Sequence, residues 1–291
     1  MRLMQTDTFE EFVRVFAHEL RQESQNVGQR SRGQADRACR NTHVRKVWHN
    51  GTGAYGSAPC ALLITCRPSW PADTPHDCPK EALMPYTHVV FDLDGTLLNT
   101  LEDLARTGNY VCAANGWPTF AHDAYRFKVG NGIPKLIERI VPAEYAYDSH
   151  VLEATYTAFC SYYDAHKEDH TCPYPGVLNM LDALSAQEVQ LAVLSNKDHM
   201  AVAPLVEHYF GDRFCAVQGR TDAFPPKPAA PATLHVLAEM GADPAHTLYV
   251  GDSNVDVATG HNAGLTVAGV SWGFRGRSEL EAAGADVIVV T

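Results

Sequence analysis

Residues 87–96, THVVFDLDGT, decide the fold of this chain. A short apolar run ends directly in Asp-x-Asp-Gly-Thr, the pattern of a buried strand that leads into a polar loop. Asp92 and Asp94 can share one site, because side chains two residues apart project to the same side of an extended chain. Gly95 allows the backbone to turn sharply and to approach a ligand closely.

Further apolar runs alternate with helical patterns along the chain. Strands are predicted at residues 89–91, 190–194, 247–250, 265–270 and 286–290, and helices at 177–186, 200–209, 231–240 and 255–263. This strand, helix, strand order favours parallel pairing. The predicted fold class is therefore α/β, with a doubly wound, mostly parallel sheet.

One stretch interrupts this alternation. Residues 101–170 carry helical patterns at 101–114, 133–141 and 151–166 and no convincing strand pattern. We interpret this stretch as a helical cap domain inserted after the first strand. The core domain would then consist of residues 84–100 and 171–291.

Residues 1–83 differ in character from the rest of the chain. Thr8 and Glu11 have capping-box spacing at the start of an amphipathic pattern that extends to Leu20. Residues 22–82 show no sustained period and are predicted to be linker or disordered. We expect Met84 to be the natural start. At the other end, Thr291 directly follows a predicted strand, and we expect a shortened C-terminus.

Composition argues against several classes of protein. The formal net charge of -11, from 23 basic and 34 acidic residues, disfavours nucleic acid as a partner. We expect no membrane partner, since no apolar run approaches the roughly 18 residues of a spanning helix. The 8 cysteines contain no C-x-x-C pair, which favours reduced thiols in a cytoplasmic protein. We expect a monomer or homodimer.

Three predicted strands end in carboxylates or small polar groups. These ends are residues 92–96, residues 195–197 (SNK) and residues 251–256 (GDSNVD). In an open parallel sheet, ligands bind beyond the carboxyl ends of the strands. The candidate site therefore gathers Asp92, Asp94, Thr96, Ser195, Asn196 and Asp252.

These residue types suit the cleavage of a phosphate ester. A nucleophilic carboxylate divides the displacement into two steps, and a neighbouring acid can protonate the leaving oxygen. A carboxylate at about 4 Å from a phosphate dianion is opposed by roughly 8 kcal/mol at an effective dielectric near 20. A divalent cation such as Mg²⁺, held by Asp92, Asp252 and a main-chain carbonyl, would offset that repulsion. Lys227, between two prolines, would balance the other phosphate oxygens.

The motifs resemble a known family. Residues 92–100 (DLDGTLLNT), residues 195–197, Lys227 and residues 251–256 are similar in order and spacing to the four motifs of the haloacid dehalogenase superfamily. The resemblance covers roughly residues 84–291 and implies a Rossmann-like core. It is closest to the phosphoglycolate phosphatase-like group, whose cap and closing segment resemble residues 130–139 and 263–274. Asn99 departs from that group, which often has Asp there.

The resemblance implies a role for each motif residue. Asp92 would be the nucleophile, and Asp94 the general acid and base as well as a metal ligand through its carbonyl. Asp252 would also bind the metal, with Asp256 supporting it. Phosphate would be bound by Ser195 and Lys227, and the predicted substrate-binding residues are Thr96, Ser195 and Asn196.

These roles predict a Mg²⁺-dependent phosphatase that hydrolyses a small phosphorylated metabolite, similar to phosphoglycolate, through an aspartyl-phosphate. One alternative is a phosphosugar mutase, similar to beta-phosphoglucomutase, although no distinctive basic set is evident in residues 101–170. Another is a non-catalytic protein that recruits partners through the N-terminal helix. We rank a zinc site at His166, His170 and Cys172 lower. We also expect Tyr156, Phe159, Tyr162 and Tyr163 to pack within the cap.

Overall fold

The structure is a computed structural model that describes residues 86–290 and, as backbone, residues 2–5. The helix predicted after Thr8, the predicted linker at residues 22–82 and the expected start at Met84 lie outside the described residues. No helix within the described ranges has both the length and the apolar character needed to cross a membrane.

Parallel strands form the main sheet. They are β1 (Arg2–Gln5), β2 (His88–Phe91), β5 (Gln190–Asp198), β6 (Ala216–Arg220), β7 (Thr247–Gly251), β8 (Thr266–Val270) and β9 (Val287–Val290). Their order across the sheet is β1-β9-β8-β7-β2-β5-β6. A separate antiparallel pair consists of β3 (Leu98–Asn99) and β4 (Cys172–Pro173). Strand β2 thus lies between β5 and β7.

Helices connect the strands. They are α1 (Leu101–Ala114), α2 (Ile133–Ile140), α3 (Ser149–His166), α4 (Val177–Ser185), α5 (His199–Phe210), α6 (Ala230–Met240), α7 (Asn254–Asn262) and α8 (Arg277–Ala283). Three short 3-10 segments lie at His122–Phe127, Ala143–Tyr145 and Pro244–His246.

Both faces of the sheet are buried. Alternate strand residues point to opposite faces, so Val89 and Phe91 pack with α4 and α5, whereas Val90 packs with α6, α7 and α8. Burial of a side chain as large as Phe91 contributes about 1.5–3 kcal/mol. This two-sided burial explains why the strands are apolar runs rather than alternating patterns, and it confirms the doubly wound α/β fold.

The segment 101–170 is helical, as its sequence pattern predicts. Helices α1, α2 and α3 enclose a third apolar cluster that includes Leu136, Phe159 and Tyr163. The chain leaves the sheet domain through β3 and returns through β4, and these strands pair with Asn99 opposite Cys172. The two connections to the helical segment therefore run side by side.

Two strands of the main sheet, β1 and β6, were not predicted, and neither was the short pair β3 and β4. Strand β6 has the sequence AVQGR, which lacks an apolar run, yet it pairs with β5 at the sheet edge. Gly219 in this strand comes close to the backbone of His199, and a Cβ there would lie 2.5 Å from the His199 Cα. Strand β1 falls in the segment for which only a helix was predicted, and it pairs with β9. Strands β1 and β6 form because each pairs with a neighbouring strand, β9 or β5. No local sequence pattern encodes this pairing.

Candidate active site

The site lies where the central strands end. Asp92 directly follows β2, and its N–H donates to the Val250 carbonyl of β7 at 2.9 Å. Asp92, Asp252 and Asp256 each offer a carboxylate oxygen within 4.8 Å of the others, and all three residues are buried. Residues 160 positions apart in sequence thus share one site, because neighbouring parallel strands end at the same edge.

Lys227 lies between two of these carboxylates. Its Nζ donates to Asp92 Oδ1 at 2.7 Å and to Asp256 Oδ1 at 2.8 Å. It also donates to the Tyr249 hydroxyl at 3.1 Å and to the Leu194 carbonyl at 3.2 Å. Burial alone would lower the pKa of Lys227, but Asp256 and Asp92 outweigh it and raise the pKa well above its usual value. The lysine is therefore a permanent cation.

Asp256 is fixed by the start of helix α7. Ser253 is the N-cap, and its hydroxyl donates to Asp256 Oδ2 at 2.6 Å. The Ser253 N–H also donates to Oδ2, at 3.2 Å, which completes a capping box. The other oxygen, Oδ1, accepts from Lys227 and from the Tyr249 hydroxyl. Asp256 thus joins the helix start to Lys227.

Asp252 is held by a close backbone approach. The Phe274 N–H donates to its Oδ2 at 2.6 Å. Gly95 adopts a φ of +93°, and a Cβ at this position would lie 2.5 Å from the same oxygen. Burial, followed by repulsion from Asp256 and Asp92, raises the pKa of Asp252 well above its usual value. Asp252 has no cationic side chain as a hydrogen-bond partner among the described residues.

Asp92 is in a similar electrostatic position. Burial and repulsion from Asp256 raise its pKa to about 7, although Lys227 opposes the shift. Lys227 thus pairs with two of the three buried carboxylates, Asp92 and Asp256. Such an excess of buried negative charge is unfavourable without a further cation. Carboxylate oxygens are the donors that Mg²⁺ prefers, so the residues present fit a divalent cation held by Asp92 and Asp252.

Asp94 is paired with a second lysine. Its two carboxylate oxygens accept from Lys197 Nζ at 3.0 and 3.2 Å. The same Nζ donates to the hydroxyl of Tyr163, on helix α3, at 2.7 Å. Asp94 thus pairs with a different lysine from Asp92 and Asp256, and its role as a metal ligand through its carbonyl stays a prediction.

The three predicted substrate-binding residues are all buried, in different environments. The Ser195 hydroxyl accepts from the Lys197 N–H at 3.2 Å. The Asn196 side chain accepts from the Lys227 N–H at 2.8 Å and donates to the Lys227 carbonyl at 3.2 Å, so it holds the Lys227 backbone. Thr96 Oγ1 is buried without a hydrogen-bond partner.

A pocket extends from the carboxylates toward the helical segment. Its lining includes Asp92, Asp94, Ser195, Asn196 and Lys197 from the sheet domain. Residues 101–140 contribute Leu104, Val129, Gly130, Gly132, Ile133 and Leu136. The wall opposite the carboxylates is thus apolar apart from its backbone groups.

Tyr163, Tyr249 and Lys197 are site residues that the sequence analysis did not select. Tyr163 belongs to an aromatic helix pattern that predicts packing, and Tyr249 is an apolar strand position whose hydroxyl reaches the site. Lys197 belongs to the SNK motif, and its position at the end of a strand could have indicated that it lies in the site. The histidines of the lower-ranked zinc site instead pair with aspartates, His166 with Asp169 at 2.8 Å and His170 with Asp103 at 2.9 Å.

Comparison with known proteins identifies the family. The family model for haloacid dehalogenase-like hydrolases matches residues 89–270. A phosphoglycolate phosphatase of Chromobacterium violaceum is 34% identical over 204 residues, which cover 69% of this chain and 90% of that protein. One from Agrobacterium fabrum is 34% identical over 64% of this chain and 80% of its own length.

A solved structure gives the same result. A Haemophilus somnus protein described as a predicted phosphoglycolate phosphatase has a TM-score of 0.66 and 29% identity. The similarity covers 70% of this chain and 93% of that one. The family match and the curated relatives confirm the phosphatase predicted from the four motifs. This chain therefore belongs to the haloacid dehalogenase-like hydrolase family, as a phosphatase.

Proposed function

We propose that this protein hydrolyses a small phosphate monoester, similar to phosphoglycolate, with Mg²⁺ and through an aspartyl-phosphate on Asp92. One observation carries the proposal: carboxylate oxygens of Asp92 and Asp252 lie within 4.8 Å of each other, beside the Lys227 ammonium. This arrangement pairs a nucleophile with two positions for positive charge. It is the arrangement that attack on a phosphate dianion requires.

In the first step, the Asp92 carboxylate attacks phosphorus and the ester bond breaks. Asp94 donates a proton to the leaving alcohol oxygen, which leaves as a neutral alcohol. In the second step, Asp94 removes a proton from water, the water oxygen attacks phosphorus, and the bond to Asp92 breaks to release inorganic phosphate.

Lys227 would stabilise charge in both steps. Because Asp256 and Asp92 keep it protonated despite its burial, it offers a fixed positive charge 2.7 Å from the nucleophilic carboxylate. Asn196 holds the Lys227 backbone from both its N–H and its carbonyl, so the position of the ammonium does not depend on substrate. Mg²⁺ bound by Asp92 and Asp252 would neutralise part of the remaining negative charge.

The pocket supports a short substrate rather than a hexose phosphate. Leu104, Val129, Ile133 and Leu136 face the carboxylates, and no basic side chain from residues 101–170 lines the pocket. A hexose phosphate would bury several hydroxyls against this wall without hydrogen bonds, which is unfavourable. The relatives named phosphoglycolate phosphatase favour a two-carbon phosphate. The cytoplasmic location and the monomer or homodimer stay predictions.

Phosphate release from a panel of monoesters with Mg²⁺ tests the proposal. We expect phosphoglycolate to be turned over, and Asp92→Asn to abolish release and the acid-stable labelling of the protein by ³²P-substrate. Asp182→Asn is the matched control, since its carboxylate is 60% exposed and pairs with Arg213. Labelling that persists in Asp92→Asn would refute the assignment of Asp92 as the nucleophile. Isomerisation of a phosphosugar without net phosphate release would indicate the alternative mutase function.

A further inference from the structure

A side chain from the helical segment reaches the acid–base residue through a lysine. Lys197 Nζ lies 3.0 and 3.2 Å from the Asp94 carboxylate oxygens and 2.7 Å from the Tyr163 hydroxyl. Lys197 is 5% exposed and Tyr163 is 1% exposed. Three side chains from three separate elements thus form one buried chain of hydrogen bonds.

Packing fixes the Tyr163 end of this chain. The Tyr163 ring stacks on Phe159 with centroids 5.9 Å apart, and Lys197 Nζ lies 4.7 Å from the centroid of the Tyr163 ring. Both aromatic residues belong to α3 and to the apolar cluster of the helical segment. The hydroxyl therefore has a defined position set by that cluster.

Tyr163 is not among the residues that line the pocket, whereas Asp94 and Lys197 are. Its contact with the site runs through Lys197. A lysine ammonium has a flexible stem and three donors, so its direction depends on which acceptors are present. Asp94 provides two acceptors and the Tyr163 hydroxyl provides a third.

We infer that Tyr163 is a positioning residue of the acid–base step, which orients Asp94 by fixing the ammonium of Lys197. The inference rests on the proposed function, in which Asp94 protonates the leaving oxygen. The tyrosine hydroxyl directs Lys197 so that its remaining donors hold both oxygens of the Asp94 carboxylate. Since Tyr163 is in the helical segment and Asp94 in the sheet domain, this geometry exists only when the two are packed together.

Leaving-group dependence tests this inference. Phosphoglycolate must lose an alkoxide, which needs a proton from Asp94, whereas acetyl phosphate is of similar size and loses acetate, which needs none. We expect Tyr163→Phe to lower kcat/KM for phosphoglycolate by about 10-fold or more, and for acetyl phosphate by less than about 2-fold. The phenyl ring remains in place, so stacking on Phe159 is retained.

Two further variants make the result specific. Tyr209→Phe is the matched control, because its hydroxyl also donates a short bond, to the Thr171 carbonyl at 2.8 Å, and not to Lys197 or Asp94. This variant should leave the ratio of the two kcat/KM values unchanged, even if it lowers the melting temperature. In a Lys197→Met background, Tyr163→Phe should have no further effect on that ratio, because the group through which it acts is gone.

The outcomes separate the inference from the proposed function. An equal loss for both substrates, or wild-type behaviour of Tyr163→Phe, would overturn the positioning role. Asp94→Asn should show the same selectivity between the two substrates more strongly than Tyr163→Phe. If Asp94→Asn shows none, then Asp94 is not the acid, and the proposed mechanism fails together with the inference. If Asp94→Asn shows the selectivity and Tyr163→Phe does not, the positioning role of Tyr163 is refuted and the acid role of Asp94 stands.

Discussion

The ammonium of Lys227 lies 2.8 Å from Oδ1 of Asp256, a residue in the first turn of helix α7. Asp256 thus accepts from the lysine with one oxygen and from Ser253, in the capping box, with the other. Both oxygens of this third carboxylate of the buried group therefore already accept from protein donors. The carboxylates of Asp92 and Asp252 are therefore the ones with oxygens available to bind a metal ion.

Lys227→Met is expected to remove activity and destabilise the fold. Without the ammonium, Asp92 and Asp256 are two buried carboxylates with no compensating charge, which should cost about 3–5 kcal/mol of unfolding free energy. Urea unfolding in EDTA measures this loss. The matched control is Lys135→Met, whose ion pair with Glu138 is exposed and should contribute less than about 1 kcal/mol. Similar losses in both variants would contradict the central role of Lys227.

The stability of the metal-free protein should depend on the protonation of Asp92. Its folded-state pKa of about 7 lies above the roughly 3.9 of an unfolded aspartate, so the folded state holds the proton more tightly. The resulting stabilisation is complete below about pH 4 and is lost as the pH rises through about 7. In EDTA, the melting temperature of the wild type relative to Asp92→Asn should therefore fall over this window.

Mg²⁺ should show the opposite trend, because it binds the ionised carboxylates of Asp92 and Asp252. We expect the rise in melting temperature caused by Mg²⁺ to grow between about pH 5 and pH 7.5. Differential scanning fluorimetry across this range measures it. An increase of equal size at both ends would show that these carboxylates do not bind the ion.

Gly95→Ala should weaken metal binding. A Cβ at this position would lie 2.5 Å from Asp252 Oδ2, so the carboxylate must move. We expect the Mg²⁺ concentration for half-maximal activity to rise by about 10–100-fold. Gly284→Ala is the control for backbone strain alone, since its φ of +84° is similar and no atom lies within 4 Å of the added Cβ. An equal effect of both variants would show that displacement of Asp252 is not the cause of the weaker metal binding.

Asp103→Ala should loosen the return of the chain from the helical segment. The Asp103 carboxylate accepts from the N–H and Nδ1 of His170 and from the N–H and hydroxyl of Thr171, at 2.8–3.0 Å. Removing it leaves these donors without partners and should cost about 2–4 kcal/mol in urea unfolding. Asp182→Ala, at an exposed ion pair with Arg213, should cost less than about 1 kcal/mol.

Much of the site was predictable because its chemistry is carried by strand ends. Asp92, Asp94 and Asp252 follow apolar runs that the sheet buries on both faces, and parallel strands bring such ends to one edge. The pairing of Asp256 with Lys227 was not predictable in detail, since it depends on where a helix start and a loop meet. The hold of the Asn196 amide on the Lys227 backbone was not predicted either, and binding of substrate by Asn196 stays a prediction.

Local patterns determined the fold class, the helical character of residues 101–170 and the identity of the candidate nucleophile, acid and cation. These features follow from periodicity and from residue type, which are properties of short segments. Packing alone decided that β6 is a strand, that Tyr163 contacts Lys197 and that Gly95 meets Asp252. Such contacts join segments far apart in the chain, and their distances depend on how whole layers fit together rather than on any one stretch of residues.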